Sequence, residues 1–449
     1  MFHLFLPNLR DLKPFNDDSI YSFLQNSDAI VSVIHSFRRH TLVKFGGSSL
    51  ASSNAWQHVF DHIRRSHHNQ PLIVVVSAVG KTTRALVGCV HHAAQGRLDE
   101  VEQGLNEIWA THKLIALECI QPEEWTALED WVDHLLSKLH QEAMQMAKEL
   151  LNHPSPVCSA HGDAILSLGE RATSQIFQKV LENVGVPSVW VDAREVIMTD
   201  ESFGAAKPNR AKIKDAMTQH HSLSSFWATL QEQPPKREIP VPVLGGFMGR
   251  SLPGSPTTLG FEGSDLTATL LAEASNAERV TIFTDVNGIM TTDPRVVPNA
   301  KHIPTLTYDE AEDLALGGAR VLHPQTLVPV VEQSIPVHVR NTFQPDHPGT
   351  IIGPQRDSSA HTPFVKEWKA VAMAVTNQAD DSSVLTFLHA TPDGQSQLRQ
   401  WSEAYALQLD VDVHGWHLHL PPLAALKSGQ NSDSSLPLSL QAIHDIFFP

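Results

Sequence analysis

The chain has 449 residues, 41% hydrophobic and 18% charged, an ordinary globular composition long enough for two or three domains with a sizeable core. A formal net charge of -16 argues against a general binder of nucleic acid or anionic membrane, while leaving room for a local basic pocket that takes a phosphorylated small molecule. Cys89, Cys119 and Cys158 are far apart with no CxxC pair, which argues against a disulfide framework or structural zinc and for a reducing cytosol.

Residues 1–40 mix polar and apolar residues without a clear period and read as an N-terminal extension. The opening MFHLFLPNLRDLKPFNDD has an apolar run too short for a signal core, and acidic residues follow it. No stretch approaches a membrane span, so the expectation is a cytoplasmic protein without a membrane partner. TLVKF then reads as a short buried strand, followed by a glycine turn and a helix from Ala51 to Arg65. PLIVVVSAV is a second strand whose aliphatic run suits a parallel sheet covered on both faces. Residues 97–150 are helical, with Trp131, Leu135, Leu136 and Leu139 on one face and a break at Gln121-Pro122 where a helix hairpin turns. A helix from Glu170 to Val184 leads into the strand VPSVWVDA, and Ser222 to Pro242, with QEQPPKREIP, reads as a surface loop. VPVLGGFMG is a strand ending in glycines. A loop with Pro253, Gly254 and Pro256, a helix from Asp265 to Ala274 and the strand RVTIFTDV follow. This alternation predicts an α/β fold with a mainly parallel sheet, and ligands in such sheets sit at the carboxyl ends of the strands. After Gly353 the strands VAMAVT, SVLTFLHA, LDVDVH and WHLHLP and the helix QSQLRQWSEAYAL predict a small α+β domain over 366–449.

Four segments carry chemistry, each with a plainer alternative. SAVGKTT resembles the end of a P-loop, but the required earlier glycine position holds Val75, so it reads as a substrate-facing loop or a simple helix-capping turn. In KFGGSS the glycines let backbone N–H groups approach phosphate oxygens, the next helix points its positive end there, and Lys44 adds a mobile charge. An ordinary glycine turn beside a lysine is the alternative. In TTLGFEGSD, Ser264 or Asp265 opens a helix, either as a cap or as a carboxylate that orients Lys44 or metal-bound phosphates. In TIFTDVNGIMTTDPRVV, Asp285 can accept from ribose or ring atoms and Arg295 can pair with phosphates; the alternative is a hairpin held by Asn287-Gly288. The doublets His67-His68, His91-His92 and His220-His221 are poor chelators, since adjacent side chains diverge, and no metal-binding spacing appears.

From Thr41 to Ile352 the segments KFGGSSLA, VVVSAVGKTT, SLGE, GGFMG, TTLGFEGSD, FTDVNGIMTTDPR, EAEDLALGGARVLHPQT and NTFQPDHPGT resemble, in order, those of the aspartate kinase family. The resemblance implies a three-layer αβα amino-acid-kinase fold over 41–353 and, over 366–449, one ACT-like module at most. It implies phosphorylation of the L-aspartate side chain by ATP with Mg2+, at the entry to lysine, threonine and methionine synthesis, and a homodimer. Lys44 then resembles the catalytic lysine and Asp265 the carboxylate that organises the centre. Glu170 resembles the residue for the substrate amino group, and Ser77 and Thr83 resemble substrate-loop contacts. Gly46, Gly47, Ser48, Ser264, Thr284, Asp285, Arg295 and Arg320 resemble nucleotide contacts, with Arg320 where the family usually has lysine. The acceptor is already an anion at neutral pH, so no general base is required; positioning, Mg2+ and cationic side chains lower the barrier.

One position departs. Phe261 stands where the family has an arginine for the substrate α-carboxylate, a loss of roughly 1.5–3 kcal/mol unless another cation such as Arg250 replaces it. The alternatives are therefore a related amino-acid kinase with another substrate, or a degenerate regulatory homologue. Met290 stands where the family often has a tyrosine beside the nucleotide base.

Overall fold

The computed structural model of the protein describes residues 40–67, 70–231, 238–294, 297–316, 322–354, 372–377, 383–388, 390, 392–405, 408–412, 415–420 and 440–448. The expected N-terminal extension lies outside the described residues, apart from His40.

Eight strands form the central sheet: β1 (Thr41–Phe45), β2 (Leu72–Val76), β3 (Ser188–Val191), β4 (Val241–Gly245), β5 (Val280–Thr284), β6 (Thr305–Thr307), β7 (Val337–Asn341) and β8 (Thr350–Gly353). They lie in the order β6-β8-β7-β5-β1-β2-β4-β3. Every neighbouring pair is parallel except β7 and β8.

The central strands are buried along their whole length, and alternate side chains pass to opposite faces. Leu42, Ile73 and Val75 join one apolar core, while Val43, Phe45, Leu72, Val74 and Val76 join another. The second core is closed by α1 (Ser53–His67), α2 (Thr82–Ala94), α3 (Leu98–Glu118), α4 (Trp125–Lys148), α5 (Ala160–Leu166) and α6 (Leu168–Asn183). The first is closed by α7 (Gly263–Ser275), through Leu266, Ala268, Leu270 and Leu271. Each large apolar side chain buried here contributes about 1.5–3 kcal/mol. A sheet between two helical layers is the predicted α/β fold. No helix among the described residues is long and apolar enough to cross a membrane.

The helix hairpin turns at Gln121-Pro122 as expected, with Pro122 opening a short 3-10 turn between α3 and α4. The segment Ser222 to Pro242 is not one loop. It holds a helix, Ser224–Gln231, and Pro242 already lies in β4. Leu223, Phe226 and Leu230 are buried at helical spacing, a signal hidden by the prolines that follow. The expected loop around Pro253 and Gly254 is the turn of a hairpin between the strands Met248–Ser251 and Pro256–Thr258. Asn287-Gly288 does not join two directly paired strands: Ile289–Met290 pairs with His302–Ile303 instead.

The small C-terminal α+β unit is present. Its strands Ala372–Asn377, Ser383–Leu388, Leu409–Val411 and Trp416–Leu420 pair antiparallel, with the fourth between the second and third. The helices Pro392–Tyr405 and Leu440–Phe447 accompany them. The unit is tied to the strand that follows Asn287-Gly288. Thr291 accepts the Met373 N–H at 2.7 Å, and its hydroxyl lies 2.8 Å from His444 Nε2.

Buried histidines give the fold a pH dependence. Burial pushes His40, His112 and His338 down to about 4. Their folded values lie below the unfolded value near 6.5, so the stability they contribute is full above that pH and lost as pH falls toward 4, at about 1.4 kcal/mol per pH unit each. His112, with Nδ1 2.8 Å from the Ile108 carbonyl, is the clearest test. The stability gap between the native chain and His112→Gln, followed by denaturant unfolding, is expected to narrow between pH 6.5 and 4. A gap constant over that interval contradicts the assignment.

Candidate active site

Four loops meet at the carboxyl edge of the sheet. β1 runs into Gly46-Gly47, β2 into Ser77–Gly80, β4 into Gly246 and β5 into Asp285. The loops are laced together: Ser77 N–H donates to the Phe45 carbonyl at 3.0 Å, Gly80 N–H to Gly47 at 3.0 Å and Gly246 N–H to Val76 at 2.8 Å. A side chain on Gly47 would place its Cβ 2.7 Å from the Gly80 carbonyl oxygen, and one on Gly246 would sit 2.6 Å from Ser264. These two glycines are required by close approach, whatever else they do.

Strand parity aims Lys44. It shares a face with Leu42, the face that α7 covers. Asp265 lies in the first turn of α7, where the helix's positive end favours a carboxylate. The two meet in an ion pair of 2.7 Å, with Lys44 and Asp265 each only 7% exposed. The alternative in which Asp265 merely caps a helix therefore loses to the one in which it orients the lysine.

Glu170 comes from the other helical layer, in the first turn of α6. It is 2% exposed, and its Oε1 accepts the Ala78 N–H at 3.3 Å. Its Oε2 is buried without a well-formed hydrogen bond. Burial pushes the carboxyl up to about 8, against the pull of hydrogen bonds from its own backbone, Ala78 and the Thr83 hydroxyl. Ser77 thus precedes Ala78 on the loop that touches Glu170, and Thr83 reaches the same carboxyl from the first turn of α2. A buried, under-satisfied carboxylate is suited to a cationic ligand group.

The residues that the resemblance assigns to the nucleotide differ in exposure. Ser48 is exposed, Ser264 is buried at the start of α7, and the Thr284 hydroxyl donates to Asp285 Oδ1 at 3.1 Å. Arg295 and Arg320 lie outside the described residues. Sequence reasoning gave no role to Asn341 and Thr342. Asn341 Nδ2 donates to Asn287 Oδ1 at 2.7 Å, and the Thr342 hydroxyl lies 2.6 Å from that of Ser49, so the end of β7 braces both nucleotide-side loops.

Two further residues were missed. Asp163 is fully buried. It accepts the Gly204 N–H at 3.0 Å and the Thr258 N–H and hydroxyl at 2.8 Å each, tying α5 to the strand that leads into Leu259-Gly260-Phe261. Glu262 adopts a left-handed backbone, φ 55°, that a non-glycine residue takes only at a cost. Its carboxylate accepts the His323 N–H. Burial, then the neighbouring Asp265 charge, raise it above the ordinary carboxylate range, with Lys44 among the groups opposing. Phe261 is 82% exposed, and Arg250 is exposed on the hairpin strand Met248–Ser251.

A lysine held by a helix-start carboxylate thus lies beside glycine loops at the sheet edge, an arrangement suited to an anionic ligand group. The chain belongs to the amino acid kinase family, whose profile matches residues 39–341. Its relatives include aspartokinases. It is 34% identical over 324 residues to the aspartokinase of Chlamydia pneumoniae, covering 72% of this chain and 65% of that protein. It is 35% identical over 310 residues to lysine-sensitive aspartokinase 3 of Escherichia coli (strain K12), covering 69% of this chain and 63% of that protein. The matches thus span just under two thirds of the length of these relatives. The structure is similar to that of E. coli aspartokinase III in complex with aspartate and ADP, with a TM-score of 0.61 and 28% identity over 91% of this chain and 83% of that one.

Proposed function

We propose that the chain transfers the γ-phosphoryl group of ATP to the side-chain carboxylate of L-aspartate, giving 4-phospho-L-aspartate. The observation that carries this reading is the buried Lys44–Asp265 ion pair at the carboxyl edge of the sheet, with Glu170 beyond it. Lys44 neutralises charge on the transferred group, and Asp265 fixes where the ammonium sits. Backbone N–H groups of the Gly46-Gly47 turn receive phosphate oxygens. Glu170 takes the substrate ammonium, with Ser77 and Thr83 beside it. Asp265 and Asp285 are the hard oxygen ligands that would hold Mg2+ brought with ATP, which would supply neutralisation of phosphate charge. We further propose that 41–353 is the catalytic unit and 366–449 a single ACT-like module. A cytoplasmic homodimer in amino-acid biosynthesis follows from the same reading.

Phe261 puts a number on the reading. An arginine at this position is expected to restore a charge-assisted pair with the substrate α-carboxylate. Phe261→Arg should lower the KM for L-aspartate by about tenfold or more with little change in kcat. An unchanged KM means that residue 261 does not face that carboxylate. The activity itself is tested by ADP release from MgATP across a panel of amino acids and simple carboxylates. Turnover confined to L-aspartate supports the proposal; turnover only with another acid refutes it.

A further inference from the structure

We propose a second small-molecule site, between α4, α5 and α6, that binds a small carboxylate. It rests on a cavity of about 380 Å³ whose lining includes Glu142, Met146, His161, Arg171, Arg194 and Pro256, and none of the residues assigned to the candidate active site. The proposal stands whether or not the kinase reading does.

The cavity is built around an unmet donor. Arg171 is only 9% exposed, and its Nη1 donates to Glu142 Oε2 at 2.6 Å. Its Nε is buried and makes no hydrogen bond. Buried guanidinium N–H groups are ordinarily satisfied, so an unmet one on a side chain that lines a cavity points to an acceptor that arrives from outside. Arg194 supplies a second cation, held in place because its Nε donates to both oxygens of Asp192, at 3.0 and 3.2 Å. Burial alone would raise the Asp192 carboxyl, but the Arg194 guanidinium outweighs it and holds the group below the ordinary range. Arg194 is therefore oriented rather than free to swing.

The rest of the wall narrows the ligand. Met146, Leu168 and Pro256 offer apolar surface, which suits a short carbon body. Glu142 is only half-buried, so it remains able to receive a cation while one of its oxygens holds Arg171. Arg171 and Arg194, paired with Glu142 and Asp192 respectively, match a free amino acid through the guanidinium donors those pairs leave over: carboxylate toward Arg171 and Arg194, ammonium toward Glu142. A simple dicarboxylate shares the first half of that recognition. The site also adjoins the reaction centre, because Arg171 follows Glu170 in the first turns of α6.

The test is calorimetric titration of the full chain, without nucleotide, against the common L-amino acids and against succinate and citrate at millimolar concentration. Met146→Trp fills the cavity, Arg194→Gln removes a cation, and Glu170→Gln disables the substrate site. The expected result is saturable binding that both cavity variants weaken at least tenfold and Glu170→Gln leaves intact. Binding by amino acids but not dicarboxylates assigns Glu142 the ammonium; binding by both leaves the carboxylate as the recognised group. If Met146→Trp does not fold, Arg194→Gln decides alone. Absence of binding by every acid, binding indifferent to the cavity variants, or binding lost in Glu170→Gln overturns the proposal.

Discussion

Lys44→Ala is expected to lower kcat for phosphoryl transfer about 10³-fold while leaving nucleotide affinity within roughly tenfold. The loss is large because the lysine is not a solvated surface charge. It is 7% exposed, and Asp265 fixes its position at 2.7 Å. Charge that develops on the moving phosphoryl group meets a preorganised cation in a shielded place. The variant also leaves Asp265 buried without its counter-ion, a destabilisation of about 3–5 kcal/mol. Activity is therefore compared at a temperature where circular dichroism shows both proteins folded. A kcat within tenfold of the native value at that temperature would place the chemistry elsewhere.

Glu170→Gln separates function from stability. Its carboxyl is raised to about 8 by burial, against an ordinary value of 4.5. The folded value lies above the unfolded one, so the stability tied to the protonated form is full below pH 4.5 and is lost as pH rises through 8. Glutamine mimics the protonated acid. Without ligand, Glu170→Gln is expected to unfold at a higher temperature than the native chain at pH 8.5 and at a similar temperature at pH 5. Its KM for L-aspartate should rise by about ten- to more than a hundredfold, since a charge-assisted hydrogen bond is lost. In the native enzyme, KM should fall by about tenfold per unit as pH rises from 6 toward 8, because the ammonium needs the ionised carboxylate. A KM that is flat over that range, or a variant less stable at pH 8.5, removes Glu170 from the substrate site.

Strands β1 to β5 were legible as short apolar runs, whereas β6, β7 and β8 were not, since Thr305–Thr307 has three residues and Val337–Asn341 alternates apolar with polar. TLVKF and LIVVV have no reading other than buried elements, and the glycines after them mark the edge where loops converge. Lys44 and Asp265 were legible from motif order, and parity explains why they meet: Leu42 and Lys44 share the face that α7 covers. The helix Ser224–Gln231 was not legible, because its apolar spacing is brief and QEQPPKREIP dominates the window. Asp163 and Glu262 were hidden for another reason. Their roles depend on partners far along the chain, at Gly204 and Thr258 and at His323, and no local pattern announces such partners. Phe261 was legible only as a substitution.

The most direct test traps the product. The protein, MgATP and L-aspartate are incubated with hydroxylamine, and the aspartyl hydroxamate formed is compared with that from Lys44→Ala. Hydroxamate that accumulates with ADP in equal amounts, and falls about 10³-fold in the variant, is the predicted result. ADP released without hydroxamate, or hydroxamate formed equally by both proteins, would contradict carboxyl phosphorylation at the Lys44–Asp265 site.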